Sequence, residues 1–311
     1  MAYNFVMSIL NEPSLNQLSS PHPSVSVGII GMGAIGCLIS SQLPLSCQRF
    51  ALLQNEENFS HYAIESESQT QQFALPAWKA NTLDIVLVCV KAAQTLTALK
   101  QWQSAISEQT QIVIVQNGFG QHDQVQQMFP RNTLFAASTT EGANKINRHH
   151  IIHAGHGSTL WGYYSGPQNP LLLELDKLSG DHKISYDIRQ VLLDKLAINA
   201  AINALTVKYQ CKNGDLLNHA EALQDLQSVC AEVETCYQAL NWPLSFVLFE
   251  RAQQVALNTA NNISSMLQDV RSQNETEIDY INGYLVAQAK RVGLTLSKNQ
   301  QLVNLVKQPT I

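Results

Sequence analysis

Apolar and polar positions divide the chain into two textures. From Val25 onward, short apolar runs rich in β-branched residues alternate with helical stretches. The runs are VSVGIIG (25–31), FALLQ (50–54), DIVLVCV (84–90), QIVIVQN (111–117) and TLFAAST (133–139). Runs of this length with almost no polar interruption fit strands buried on both faces, so they predict a parallel sheet covered by helices. The stretch HHIIHAGHGSTLWGYY (149–164) predicts a β-hairpin turning at Gly155–Gly157, as an antiparallel edge to that sheet. Past the Gly180–His182 loop the period lengthens to that of helices and stays so to the end. The expectation is an α/β fold: a doubly wound Rossmann-type domain over 25–188, then an all-α domain over 189–311. Residues 1–24, rich in Ser, Pro and Asn at their end, read as a loose tail with neither the basic start nor the apolar core of a signal peptide.

One helical stretch breaks its own pattern. In KLAINAAINALT (195–206) the apolar run carries Lys195, Asn199 and Asn203 at intervals of four. At 100° per residue these three fall within about 80° of one another, and Thr206 rejoins them. A polar stripe on so apolar a helix faces either water or a polar object inside the protein.

The first strand ends in Gly31-x-Gly33-x-x-Gly36 and runs directly into AIGCLISSQL. Between a strand and a helix, the first glycine makes a tight turn, the second lets the backbone approach a pyrophosphate, and the third allows helix and strand to pack closely. The helix N-terminus then offers an anion site. The signal is for a dinucleotide, with Gly31, Met32, Gly33, Ala34, Ile35 and Gly36 as its loop. No Walker lysine follows, which excludes a P-loop.

Composition narrows the partners. Apolar residues make up 45% of the 311, charged residues 14%, and the net charge is -5 without a basic run. That argues against nucleic acid or an anionic membrane and for a small-molecule substrate. No apolar stretch reaches membrane-spanning length. The six cysteines form no C-x-x-C pair, which reads as cytoplasmic thiols rather than disulfides or zinc ligands. His149, His150, His153 and His156 invite a metal, but strand alternation sets 149 and 153 on one face and 150 and 156 on the other, so no metal is expected. Neither a G-x-S-x-G elbow nor an H-E-x-x-H helix is present.

Five collinear segments carry a resemblance: GMGAIG (31–36), VKAAQ (90–94), QNGFG (116–120), KLAINAAINALTVKYQCKNGDLL (195–217) and NISSMLQDVRSQNETEIDYINGYLV (262–286). Their order and spacing over residues 25–308 resemble the ketopantoate reductase (2-dehydropantoate 2-reductase) family. The resemblance implies a Rossmann domain followed by a helical domain, with the active site in the cleft between them. It implies NADPH-dependent reduction of a 2-keto acid, ketopantoate, on the way to pantothenate and coenzyme A, by a monomer or homodimer; the alternatives are a reductase of another branched 2-keto acid and a non-catalytic dinucleotide-binding regulator. Lys195 matches the family's general acid and Glu277 its catalytic acidic residue. Asn117, Asn199, Asn203 and Ser265 match substrate-binding positions, while Lys91, Asn117 and Glu277 border the cofactor. One position departs from the pattern: Asn55 stands where the family commonly has the arginine that pairs with the 2′-phosphate of NADP, with Glu56 and Glu57 following. NADP(H) is therefore expected from the family, with NAD(H) left open.

Overall fold

A computed structural model describes residues 24–53, 59–66, 69–79 and 81–308 of the chain. The expected tail, apart from Ser24, and Asn55 lie outside the described residues.

Five parallel strands form the centre: β1 (Ser26–Ile30), β2 (Gln48–Leu52), β5 (Ile85–Val88), β6 (Gln111–Ile114) and β7 (Leu134–Thr139). They align with the five apolar runs of the sequence. Each strand alternates between two cores: Val27, Ile29, Ile85, Leu87 and Val113 on one face, Ile30, Val86, Val88, Ile112 and Ile114 on the other. Both faces are covered, which is why these strands are apolar throughout rather than at every second residue. Helices α1 (Ala34–Gln42), α2 (Thr95–Gln101) and α3 (Gln121–Met128) lie between the strands in sequence.

Two strands extend the sheet past β7. Strand β10 (Ser158–Ser165) pairs antiparallel with β7, and β11 (Asp181–Ile184) pairs parallel with β10, giving the order β11-β10-β7-β6-β5-β1-β2. A second, four-stranded sheet combines β3 (Phe59–Glu65), β4 (Thr70–Pro76), β8 (Gly142–Asn147) and β9 (His150–Gly155) in the order β4-β3-β9-β8.

This overturns the predicted hairpin over 149–164. Strands β9 and β10 belong to different sheets, and the antiparallel partner of β9 is the preceding β8. The reason lies at Gly157, where the chain crosses between sheets instead of turning. A Cβ there would fall 2.5 Å from the Thr140 carbonyl carbon and oxygen, and the Gly157 N–H donates to the Glu141 carboxylate at 3.0 Å. Ser158 and Thr140 then exchange hydrogen bonds that start the β7–β10 pairing.

The C-terminal half is helical: α4 (Ile188–Tyr209), α5 (Ala220–Ala239), α6 (Leu248–Asn258), α7 (Ser265–Arg271), α8 (Asn282–Arg291) and α9 (Ser297–Lys307). Helix α4 starts beneath an Asp187 side chain that accepts the Gln190 N–H, and it stops at Gln210 with φ of 50°. Ala197, Ala200, Ala201 and Ala204 are fully buried along it. Their small side chains let neighbouring helices close around α4 as the axis of this half.

Candidate active site

The carboxyl ends of the parallel strands open onto one cavity of about 410 Å³. The loops after β1, β5 and β6 reach it, as ligand sites of open α/β sheets do. The helical half closes it through α7 and the segment ending at Glu277.

The three loop glycines differ in what surrounds them. Gly31 has φ of +92° and no room for a Cβ, which would lie 2.6 Å from the Val90 nitrogen. A Cβ on Gly36 would lie 2.1 Å from the Gly31 oxygen. Both are demanded by the fold. Gly33 is not: nothing among the described residues lies within 4 Å of its added Cβ, and its φ of -81° suits any residue. It caps α1 with no side-chain hydrogen bond, so the helix N-terminus and its free N–H groups face the cavity.

Of the residues singled out from sequence, Gly33, Ala34, Ile35, Lys91, Asn117, Ser265 and Glu277 share the cavity wall. Met32 is 8% exposed and packs within the same apolar core as Val27 and Ile29, so its side chain belongs to the core rather than to the wall. Lys195, Asn199 and Asn203 are also off the wall. Lys195 sits on α4 with its Nζ donating to the Thr139 carbonyl at 2.6 Å, at the end of β7. Lys195, Asn203 and Thr206 of the polar stripe thus face the protein interior. Thr206 Oγ1 donates to the Asn203 carbonyl at 2.7 Å. Its one proton is spent there, so in the 2.6 Å contact with Ser264 the serine is the donor. Ser264 also accepts the Leu267 N–H as the N-cap of α7. The stripe therefore fixes the helix start that presents Ser265 to the cavity.

Two titratable groups are perturbed in opposite senses. Burial lowers Lys195 from 10.5 to about 8, with the Glu277 charge pulling it partly back. Burial raises Glu277 above its ordinary value, opposed by hydrogen bonds from the Asn117 side chain and the Ala92 backbone. Lys91 bridges the halves, pairing with Asp269 on α7 and donating to the Glu275 carbonyl. Across the same seam, the Phe119 N–H donates to the Tyr280 carbonyl at 2.9 Å, with Gly118 at φ +84° packed on Tyr280.

Sequence reading missed polar wall residues, among them Gln116, Asn144 and Lys145. Gln116 is 6% exposed, and both polar atoms of its amide lack a partner among the described residues. It stood next to Asn117 in QNG, and its place at a strand end was the available signal. Lys145 and its neighbour Asn144 reach the wall from β8, a strand too polar to be recognised. The expected split of the histidines also fails: His156 lies beyond the end of β9, and its ring packs against that of His153 with centroids 4.5 Å apart.

Family models match both halves of the chain. Residues 27–166 match "Ketopantoate reductase PanE/ApbA", and residues 187–310 match "Ketopantoate reductase PanE/ApbA C terminal". The 2-dehydropantoate 2-reductase of Yersinia pestis is 33% identical over 233 residues, covering 72% of this chain and 73% of that protein. The corresponding protein of Vibrio cholerae is 28% identical over 305 residues, covering 91% and 97%. Among solved structures, a probable 2-dehydropantoate 2-reductase from Bacillus subtilis superposes with a TM-score of 0.76 at 26% identity, covering 91% of this chain and 99% of its own. The chain belongs to the ketopantoate reductase family of oxidoreductases.

Proposed function

We propose that this chain reduces 2-dehydropantoate to (R)-pantoate with NADPH, a step toward pantothenate and coenzyme A. The observation that carries the reading is Gly33. Of the three loop glycines it alone has no described residue within 4 Å of an added Cβ, and it opens an uncapped helix N-terminus onto the wall that holds Asn117, Ser265 and Glu277. A backbone that needs no glycine for folding there is suited to close approach by a pyrophosphate. Gln116 fits the same ligand, since its orphaned buried amide calls for a polar partner of the kind a nicotinamide carboxamide offers. Lys145 on the same wall supplies positive charge. In this reading residues 25–188 hold the dinucleotide and 189–311 supply the catalytic and substrate groups.

Bound nicotinamide supplies the hydride that reduces the ketone carbon. The chain's own part is to bind the acid, orient it and deliver a proton. Lys195 gives its Nζ proton to the developing alkoxide oxygen. A lysine held near pH 8 is still charged at neutrality, yet it releases its proton more readily than an exposed one. The Thr139 carbonyl orients the ammonium, and Glu277 favours its charged form. Glu277, in turn held by Asn117, borders the cofactor. Asn199 and Asn203, which stand off the cavity wall, are assigned amide contacts to the carboxylate and hydroxyl of the substrate on the family pattern alone, whereas Ser265 stands on the wall to hydrogen-bond it.

The test is oxidation of NADPH and of NADH by purified protein with 2-dehydropantoate, run beside 2-ketoisovalerate and related acids. Turnover highest with 2-dehydropantoate is expected. Turnover higher with another branched 2-keto acid would move the substrate assignment, and none with any of them would reject catalysis.

A further inference from the structure

A second cavity, also about 410 Å³, lies at the C-terminal end of α1, where the chain passes from the four-stranded sheet into the seven-stranded one. Glu141, between β7 and β8, His153 on β9 and His156 beyond it meet on its wall. One ligand atom from each of the three lies within 4.8 Å of the others. Among the described residues no lysine or arginine lines this cavity, whereas Asp181 does.

We propose that Glu141, His153 and His156 bind a divalent cation of the zinc type. Two imidazoles and one carboxylate are a donor set that suits zinc and leaves a fourth position for solvent. Tetrahedral zinc at about 2.0–2.2 Å from each donor needs donors about 3.3–3.6 Å apart, within reach of small side-chain rotations from the observed spacing. Two of the three donors are already fixed. The Glu141 side chain is 5% exposed and that of His153 11%, and their Oε2 and Nε2 atoms lie at hydrogen-bond distance, 2.6 Å. A cation between the two atoms takes the place of that hydrogen, and the neutral imidazole then carries its N–H on Nδ1. The Gly157 N–H holds the same carboxylate oxygen at 3.0 Å, the kind of outer contact that orients a metal ligand. His156 is exposed and stacked edge-on against His153, free to complete the set from solvent. With the metal in place, the crossing at Gly157 is clasped between the β7–β8 link and the end of β9.

The test uses the full-length chain without an affinity tag, stripped with chelator and then titrated with zinc chloride by equilibrium dialysis. Cobalt(II) serves as a spectroscopic probe of ligand number. One zinc per chain is expected, with visible cobalt bands of four- or five-coordinate type. His156→Ala removes an exposed side chain with no hydrogen bond to another described residue, so it should fold normally and weaken zinc by more than about 10-fold. Glu141→Gln keeps the shape, removes the charge and should do the same. Wild-type protein that takes up no zinc, unchanged affinity in His156→Ala, or uptake abolished by blocking the cysteine thiols would each overturn the site.

Discussion

Lys195→Met should make the protein more stable and nearly inactive at once. The methionine keeps most of the stem and drops the charge. In the unfolded chain Lys195 holds its proton up to about pH 10.5, and in the fold only to about 8. At about 1.4 kcal/mol per tenfold in proton affinity, the charged lysine weakens the fold by about 3 kcal/mol below pH 8. Between pH 8 and 10.5 the unfolded state binds more protons, so wild-type stability rises with pH across that window and the penalty vanishes at its top. Loss of the bond to the Thr139 carbonyl offsets about 1 kcal/mol. The variant should therefore gain about 1–3 kcal/mol at pH 7 and little at pH 10.5, read by urea unfolding of both proteins at each pH. Its kcat should fall by about 10²–10⁴, the usual contribution of a general acid, with cofactor affinity kept. A functional residue that opposes stability is what a working site produces. A variant less stable than wild type at pH 7, or one whose gain is equal at both pH values, would refute the assignment of a buried charged lysine.

Three further outcomes follow from the site. Gly33→Ala should leave the unfolding midpoint unchanged, because its Cβ meets none of the described residues, while weakening NADPH binding measured by fluorescence titration. If affinity survives, the pyrophosphate lies elsewhere. Asn203→Ala should weaken substrate by about 1–3 kcal/mol and cofactor hardly at all, as measured by KM against cofactor Kd. Equal effects on both would remove Asn203 from the substrate site. Wild-type preference for NADPH over NADH should be modest, and Asn55→Arg should sharpen it in kcat/KM, since arginine gives the 2′-phosphate a paired charge that asparagine lacks. A strong native preference left unchanged by the substitution would show that another residue reads the phosphate.

What the sequence made legible follows from burial. Ile85–Val88 and Gln111–Ile114 are buried at every position, so their strands announce themselves by unbroken runs. The second sheet did not, because Thr70–Pro76 and Gly142–Asn147 are mostly exposed and spell TQQFALP and GANKIN. Their order comes from long-range pairing that leaves little local hydrophobic trace. The Gly155–Gly157 pair looked like a turn because glycine permits turns, whereas Gly157 is required by close packing on Thr140, a contact no local pattern encodes. At the site, the glycine loop and the strand ends were readable from periodicity and spacing. The roles of Lys195, Ser265 and Glu277 came from family resemblance, since a lysine on an apolar helix has no local signature of what it faces. Gln116 and Lys145 escaped because their places on the wall depend on which loops and strands meet there.

The central claim is that Lys195 supplies the proton for reduction of a small keto acid bound against the Rossmann half. The pH profile of kcat/KM for NADPH oxidation with 2-dehydropantoate tests it most directly, because that ratio reports groups of the free enzyme. A donor must be protonated to act, so the profile should be level near neutrality and fall about tenfold per pH step above about 8, where Lys195 loses its proton. Lys195→Met should show a low rate with that alkaline limb gone. A wild-type profile that stays level to pH 10, or a limb that persists unchanged in Lys195→Met, would contradict the account.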